Sequence, residues 1–203
     1  ESWHTANGTG VMVLNNPAND FTGDVFINSS VLSVATIANA GIASPLGSGT
    51  QIQIKGSSTL RYTGTGGVTN RPIVLTGTTD GGTLDMSGSG TLRFTGNLSV
   101  TGSGAKTLSL AGSTSGTGEF AGAIVNYTGA GGPLATSVTK SGTGTWILSG
   151  ANTYTGVTTV GAGVLIVPDF TNGGVAGPLG AATNVAANLV VNGAVLRYTG
   201  LND

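Results

Sequence analysis

Chemistry in this chain would have to come from eight carboxylates, seven cations and a single histidine. Glycoside hydrolysis needs two carboxyl groups facing each other across a sugar. Asp80 and Asp85 are the best pair in the sequence, with Arg71 and Arg93 close by. A polysaccharide-active enzyme would set such groups along one strand face. The alternative reading makes the stretch TTDGG (78–82) an Asp-Gly turn and pairs Asp85 with Arg93 on the solvent side of adjacent strands. Surface pairs of that kind are common and weak, so this second reading is preferred. His4 lies in the polar stretch SWHTANG, and no Ser-His-Asp arrangement can be built around it.

Metal and redox chemistry find little support. The chain has no cysteine, which excludes disulfides and thiolate metal sites. A cysteine-free chain suits a protein that must cross an envelope unfolded. The stretch GGTLDMSGSG (81–90) is superficially similar to a calcium-binding nonapeptide, but Thr83-Leu84 breaks the G-x-G spacing and no tandem series follows. No catalytic residue, cofactor or metal ligand is assigned.

What recurs instead is Leu-Arg-aromatic-Thr-Gly. It occurs at Leu60, Arg61, Tyr62 and Gly64, at Leu92, Arg93, Phe94 and Gly96, and at Leu196, Arg197, Tyr198 and Gly200. The pattern implies Leu inward, Arg outward, the aromatic inward or at a corner, and Gly at a turn needing positive φ. The arginines could form a basic ladder for acidic glycans or act as gatekeepers that discourage edge pairing; the second is preferred. Tyr62, Phe94, Tyr198 and the matched pair Phe21 and Tyr154 could stack on sugars, but their register with Leu favours packing. Trp146 aligns with Met12, which argues for a buried or half-buried site, and Trp3 is ambiguous. Asn19 and Asn152 are expected to stack or to cap turns through side-chain to backbone hydrogen bonds.

These residues must be positioned by strands. Gly is 37 of 203 residues and charged residues are only 7%, yet hydrophobic content is 38%, which excludes ordinary disorder. Gly does not fall strictly every third residue, which excludes collagen. A net charge of −1 with no basic stripe argues against a nucleic-acid partner. No apolar run is long enough for a membrane helix. Short alternating runs, from VMVL (11–14) to VLRY (195–198), are mostly separated by two to six turn residues. The stretches 34–47 and 167–180 read as loops or a single helical turn.

An antiparallel sandwich or barrel and a β-helix both fit such strands. An internal repeat decides for the β-helix. The stretch 8–64 recurs as 142–200: Gly142 answers Gly8, Tyr154 answers Phe21, Pro178 answers Pro45 and Arg197 answers Arg61. Generic coils fill 65–141. The expected fold is all-β, a right-handed parallel β-helix of five or six coils with about three short strands each, and equivalent side chains stacked in ladders. The whole of 1–203 is expected to be one β-helix segment of a longer repeat protein, since LRYTGLND stops where the first copy runs on.

The second copy, GTGTWILSGANTYTGVTTVGAGVLIV (142–167), resembles the autotransporter-associated β-strand repeat, also called the passenger-associated transport repeat. Leu148, Gly150, Asn152, Tyr154, Gly156, Thr158, Val160, Gly163 and Leu165 match its pattern. The first copy keeps Leu14, Asn19, Phe21, Gly23, Val25, Ile27 and Leu32, with Asn16 in place of the first Gly. The resemblance implies a right-handed parallel β-helix in long secreted surface proteins of Gram-negative and related bacteria, with repeats that aid export by folding outside the cell. The family motif has no catalytic residues to carry over. A translocator barrel enters only through the resemblance, because the sequence shows no series of ~10-residue amphipathic strands.

The functional expectation is a non-enzymatic extracellular rod or fibre spacer, with end-to-end self-association or flanking copies of the repeat as partners. An adhesin that contacts glycans or a cell surface is the alternative. A polysaccharide-active enzyme is the third reading.

Overall fold

Runs of three to six residues alternate Val, Ile, Leu or Thr with small polar residues. Each becomes a strand because one set of side chains finds an interior and the other finds solvent. The computed structural model describes residues 3–4, 9–78, 80–113 and 115–200. Nineteen strands lie among them, in three sheets. A five-stranded sheet holds Trp3–His4 (β1), Val25–Asn28 (β3), Ile52–Lys55 (β5), Ile73–Thr76 (β8) and Leu98–Val100 (β11). An eight-stranded second sheet holds Val11–Leu14 (β2), Val31–Val34 (β4), Ser58–Tyr62 (β6), Gly81–Met86 (β9), Lys106–Ala111 (β12), Thr136–Lys140 (β14), Thr158–Val160 (β16) and Leu189–Val191 (β18). A six-stranded third sheet holds Gly67–Thr69 (β7), Thr91–Phe94 (β10), Thr117–Phe120 (β13), Thr145–Leu148 (β15), Val164–Val167 (β17) and Val195–Tyr198 (β19).

Every pairing between these strands is parallel. The chain passes from sheet to sheet, through all three in turn between β6 and β13, and returns one strand further along each time, which is a parallel β-helix. The second sheet is eight strands deep, more than the five or six coils expected. The reason is that several coils contribute only two strands. The first sheet stops at β11, where Ile124 adds a single bridge to Leu98.

Successive rungs of the second sheet place Met12, Leu32, Leu60, Leu84, Leu110, Lys140, Val160 and Val191 in one file. In the first sheet Val25, Ile52, Ile73 and Leu98 do the same, and in the third Leu92, Gly118, Trp146, Leu165 and Leu196. The apolar members of these files from Leu32 to Val160, Val25 to Leu98 and Leu92 to Leu165 meet inside the coils as one buried cluster, with Met12 and Leu196 packed against it and Val191 left exposed.

The two sequence copies do not share faces. β2, β4 and β6 of the first copy lie in the second sheet, whereas their counterparts β15, β17 and β19 lie in the third. Likewise β3 lies in the first sheet and its counterpart β16 in the second. The second copy is therefore turned by one sheet about the axis. Identical residues of the two copies do not stack as ladders, contrary to the expectation from the repeat. What is repeated is a local succession of strand, bend and strand, whichever face it occupies.

Candidate functional site

The two copies build the same corner. The Asn152 side-chain amide donates to the Pro178 carbonyl at 2.8 Å, and its Oδ1 accepts from the Ile124 amide at 2.8 Å. In the first copy Asn19 donates in the same way to the Pro45 carbonyl at 3.1 Å. The backbones follow suit: Ser44 N–H donates to Asn19 O at 3.2 Å, and Gly177 N–H to Asn152 O at 3.1 Å. Each asparagine thus ties its own bend to the Pro-Leu-Gly turn of the next coil, 26 residues on. This is the side-chain to backbone role expected of both residues.

The aromatic two positions on closes the corner. Ser48 N–H donates to Phe21 O and Ala181 N–H to Tyr154 O, both at 2.8 Å. Gly47 (φ 64°) and Gly180 (φ 83°) lie against these aromatics. A Cβ at either would come within 2.4–2.5 Å of the Phe21 or Tyr154 carbonyl. Tyr154 is fully buried and its hydroxyl lies 2.6 Å from Thr158 Oγ1. Burial raises its pKa well above the ordinary tyrosine value, although the Thr158 bond favours ionisation.

Among the remaining motif residues, Leu60, Leu92, Leu148 and Leu165 are buried, as are Tyr62 and Phe94. Trp146 is fully buried, donates from its indole to Ala111 O at 2.7 Å and stacks on Phe94 with centroids 6.4 Å apart. Gly23, Gly64, Gly96, Gly150, Gly156, Gly163 and Gly200 all sit at bends, but Gly64, Gly96 and Gly200 do not have the positive φ expected. Glycine is needed there because a Cβ would lie 1.8–2.4 Å from the Ala35, Asn70 or Pro168 carbonyl oxygen of the preceding coil. Leu196 is half-buried, and Tyr198 is 39% exposed, where its ring tilts against Phe170 with centroids 5.4 Å apart. Of the proposed sugar platforms, Tyr198 is exposed and Phe21 half-buried, while Tyr62, Phe94 and Tyr154 are buried.

Three cations are buried: Arg71, Lys106 and Lys140. Each binds backbone carbonyls at a coil corner. Arg71 Nη1 donates to Leu46 O at 2.8 Å, and Nη2 donates to Gly47 O at 2.6 Å and Ile42 O at 3.1 Å. Burial lowers the pKa of Arg71 while the charge of Asp24 opposes this. Burial tends to raise the Asp24 carboxyl, but hydrogen bonds from Gln51 and Thr50 outweigh it and hold the pKa below the usual range. Lys140 Nζ donates to Ser141, Gly142 and Ala162 carbonyls at 2.7–3.1 Å, and burial brings its pKa down to about 8. Sequence reasoning missed all three roles. Lys140 carried one signal: it falls on the inward phase of Thr136-Ser-Val-Thr-Lys140.

The outward charges are arranged otherwise than expected. Asp85 Oδ2 accepts from Arg61 Nε at 2.9 Å, and Arg93 Nε lies 3.1 Å from Glu119. The expected Asp85–Arg93 pair is thus replaced by two pairs, because each arginine meets the acid at its own register position one coil on. Nor do the motif arginines make a ladder. Arg61 is in the second sheet, while Arg93 and Arg197 are separated by three strands of the third. Asp80 adopts φ 68° at the turn before β9 and borders a shallow cavity with Asn28, Ser29, Lys55, Gly56 and Gly77. Asp85 is not part of that lining, so the two carboxylates are not brought to one site. No group of three or more potential metal ligands occurs among the described residues. The backbone of Trp3 and His4 pairs with Val25 and Phe26, and their side chains lie outside the described residues, as do Glu1 and Asp203. A second cavity of about 410 Å³ lies between Asp169, Asn172, Leu179, Gly180 and Asn184. Among the described residues, no helix is long and apolar enough to cross a membrane.

Comparison with known proteins meets the same corners. The passenger-associated-transport-repeat family matches residues 5–34 and 138–167, which contain the Asn19 and Asn152 bends. The chain is also similar to the adhesin BmaC autotransporter of Brucella suis biovar 1 (strain 1330), with 38% identity over 206 residues. That match covers 97% of this chain but only 6% of that protein, so the chain spans a small part of its relative's length. No solved structure matches significantly. Both repeat matches fall on one recurring corner and the similarity to an autotransporter runs along nearly the whole chain, so the chain carries two passenger-associated transport repeats and is similar to extracellular and cell-surface proteins.

Proposed function

We propose that this passenger segment is a non-enzymatic spacer: a stretch of β-helix that folds outside the cell and holds other parts of its parent protein at a distance. The observation that carries the reading is how the repeated residues are used. Asn19, Asn152, Phe21 and Tyr154 are engaged in joining one coil to the next, and the motif leucines in filling the core. A sequence selected for inter-coil contacts repeats a folding rule rather than a reaction centre. Parallel coils also leave open backbone groups at each end, which favours stacking of flanking copies or end-to-end association. Small-angle scattering on segments of increasing copy number tests this. Growth in length at constant cross-section is expected, and a cross-section that widens with copy number would refute it.

The adhesin reading has one observation in its favour. Phe170 is 51% exposed and lies beside the part-exposed Tyr198 ring, and the similar Brucella protein bears the name adhesin. Solvent-facing aromatic pairs suit sugar stacking. Glycan-array binding that is lost in Phe170→Ala would select this reading, and a blank array would remove it.

A further inference from the structure

The loop after β4 and the loop after β17 are built alike, and only one of them is filled. Ile42 N–H donates to Asn39 O at 3.2 Å, and Val175 N–H to Asn172 O at 3.0 Å. Gly41 and Gly174 both have φ 81°. Gly47 N–H donates to Ser44 O at 2.9 Å, and Gly180 N–H to Gly177 O at 3.0 Å. In the first loop the Arg71 guanidinium occupies the hollow and binds the carbonyls of Leu46 and Gly47. Their counterparts are Leu179 and Gly180, and Asn172 stands where Asn39 does. Those three residues border the 410 Å³ cavity.

We propose that this cavity is a guanidinium socket, whose occupant is an arginine side chain entering from a coil stacked on β18. Arg71 reaches its own hollow from the residues just before β8, and β8 pairs with β5, the strand that follows the first loop. β18 is the strand that follows the second loop, so the same approach comes from the strand pairing β18 on its open side. The guanidinium of Arg71 meets the Leu46 and Gly47 carbonyls with two different nitrogens of a rigid planar fork, whereas a lysine ammonium meets adjacent carbonyls from a single nitrogen, as Lys140 does with Ser141 and Gly142. Leu179 O has only a long 3.5 Å contact with Thr158 Oγ1, and a carbonyl offers two lone pairs. Asp169 adds a carboxylate to the rim, where the first loop has Thr36. The proposal concerns one cavity and does not depend on the spacer reading.

The test is a titration of the isotope-labelled chain with L-arginine and, separately, L-lysine, followed by amide NMR shifts. Arginine at millimolar concentrations is expected to shift Asn172, Gly180 and Ala181 saturably, with lysine several-fold less effective. Equal responses to the two, or shifts that map elsewhere, would overturn the socket. A longer segment of the parent protein that includes the coil on β18 decides the occupant. Its Asn172 and Gly180 amides should no longer respond to arginine, and an undiminished response would overturn the assignment to that coil.

Discussion

The hydroxyls of Tyr154 and Thr158 lie 2.6 Å apart inside the second corner, where the first corner has Phe21 and Val25. The two positions have changed together: the copy without the phenol also lacks the threonine hydroxyl. A buried polar atom stripped of its partner costs about 1–3 kcal/mol, whereas removing both partners is close to neutral. Tyr154→Phe alone is therefore expected to lower stability by about 1–2 kcal/mol. Adding Thr158→Val should recover most of that loss. Urea unfolding of the two single variants and the double variant gives the coupling directly, and strictly additive losses would contradict it.

The asparagine clamps should differ in strength between copies. Asn152 is fully buried and holds both Ile124 N–H and Pro178 O, so Asn152→Ala leaves two interior groups unpaired. A loss of about 3 kcal/mol is expected. Asn19 is only half-buried and its oxygen already accepts from Asn16 at 2.7 Å. Asn19→Ala should cost about 1 kcal/mol. Equal shifts of the unfolding midpoint would show that the two corners are not the asymmetric pair described.

Lys140 makes stability depend on alkaline pH. An unfolded lysine titrates near 10.5 and Lys140 near 8. Between those values the unfolded chain holds more protons, so raising the pH favours the folded state. A gain of about 2 kcal/mol between pH 8 and pH 10 is expected from this residue. Above pH 10 the raised pKa of Tyr154 works in the opposite direction, because unfolded tyrosine ionises first. Thermal melts across pH 7–10.5, compared with Lys140→Met, isolate the effect. The variant should lack the rise, and parallel curves would dismiss it.

Gly118 faces Trp146 across β13 and β15, and a Cβ there would lie 2.5 Å from the indole ring. Gly118→Val is expected to cost about 2–3 kcal/mol through overpacking. The displaced indole should also show red-shifted fluorescence. Coupling Gly118→Val with Trp146→Leu should restore part of the stability, and no recovery would mean the strain lies in the backbone.

Much of the fold could be read from the sequence because the alternation is plain wherever inward residues are aliphatic. Thr91–Phe94 is an example, with Leu92 and Phe94 inside. Thr136–Lys140 does not show as a strand in the sequence because its inward residues are Thr136, Val138 and Lys140, two of them polar. β7 begins at Gly67 and is only three residues long, too short to alternate visibly. The Asn–Pro contact left a trace in the constant separation of 26 residues, but a separation alone does not say that two bends touch. Asp85 was given the wrong arginine for a related reason. Parallel coils pair residues one coil apart in register, here Arg61 with Asp85, and not those nearest in the chain. Arg71 lies outside any alternating run, so nothing local distinguished an inward guanidinium from a solvated one.

The rotation of the second copy by one sheet has a consequence for how such proteins lengthen. A duplicated stretch that is not a whole number of turns still fits, because each strand needs only a parallel neighbour of matching phase and not a twin. Its protruding loop then comes out on a new side, the first after β4 in the second sheet and the next after β17 in the third. A further copy at the same interval would open on the remaining face. Tandem duplication at this interval would therefore set loops around the coils like the treads of a spiral stair, presenting them in several directions from one repeated segment.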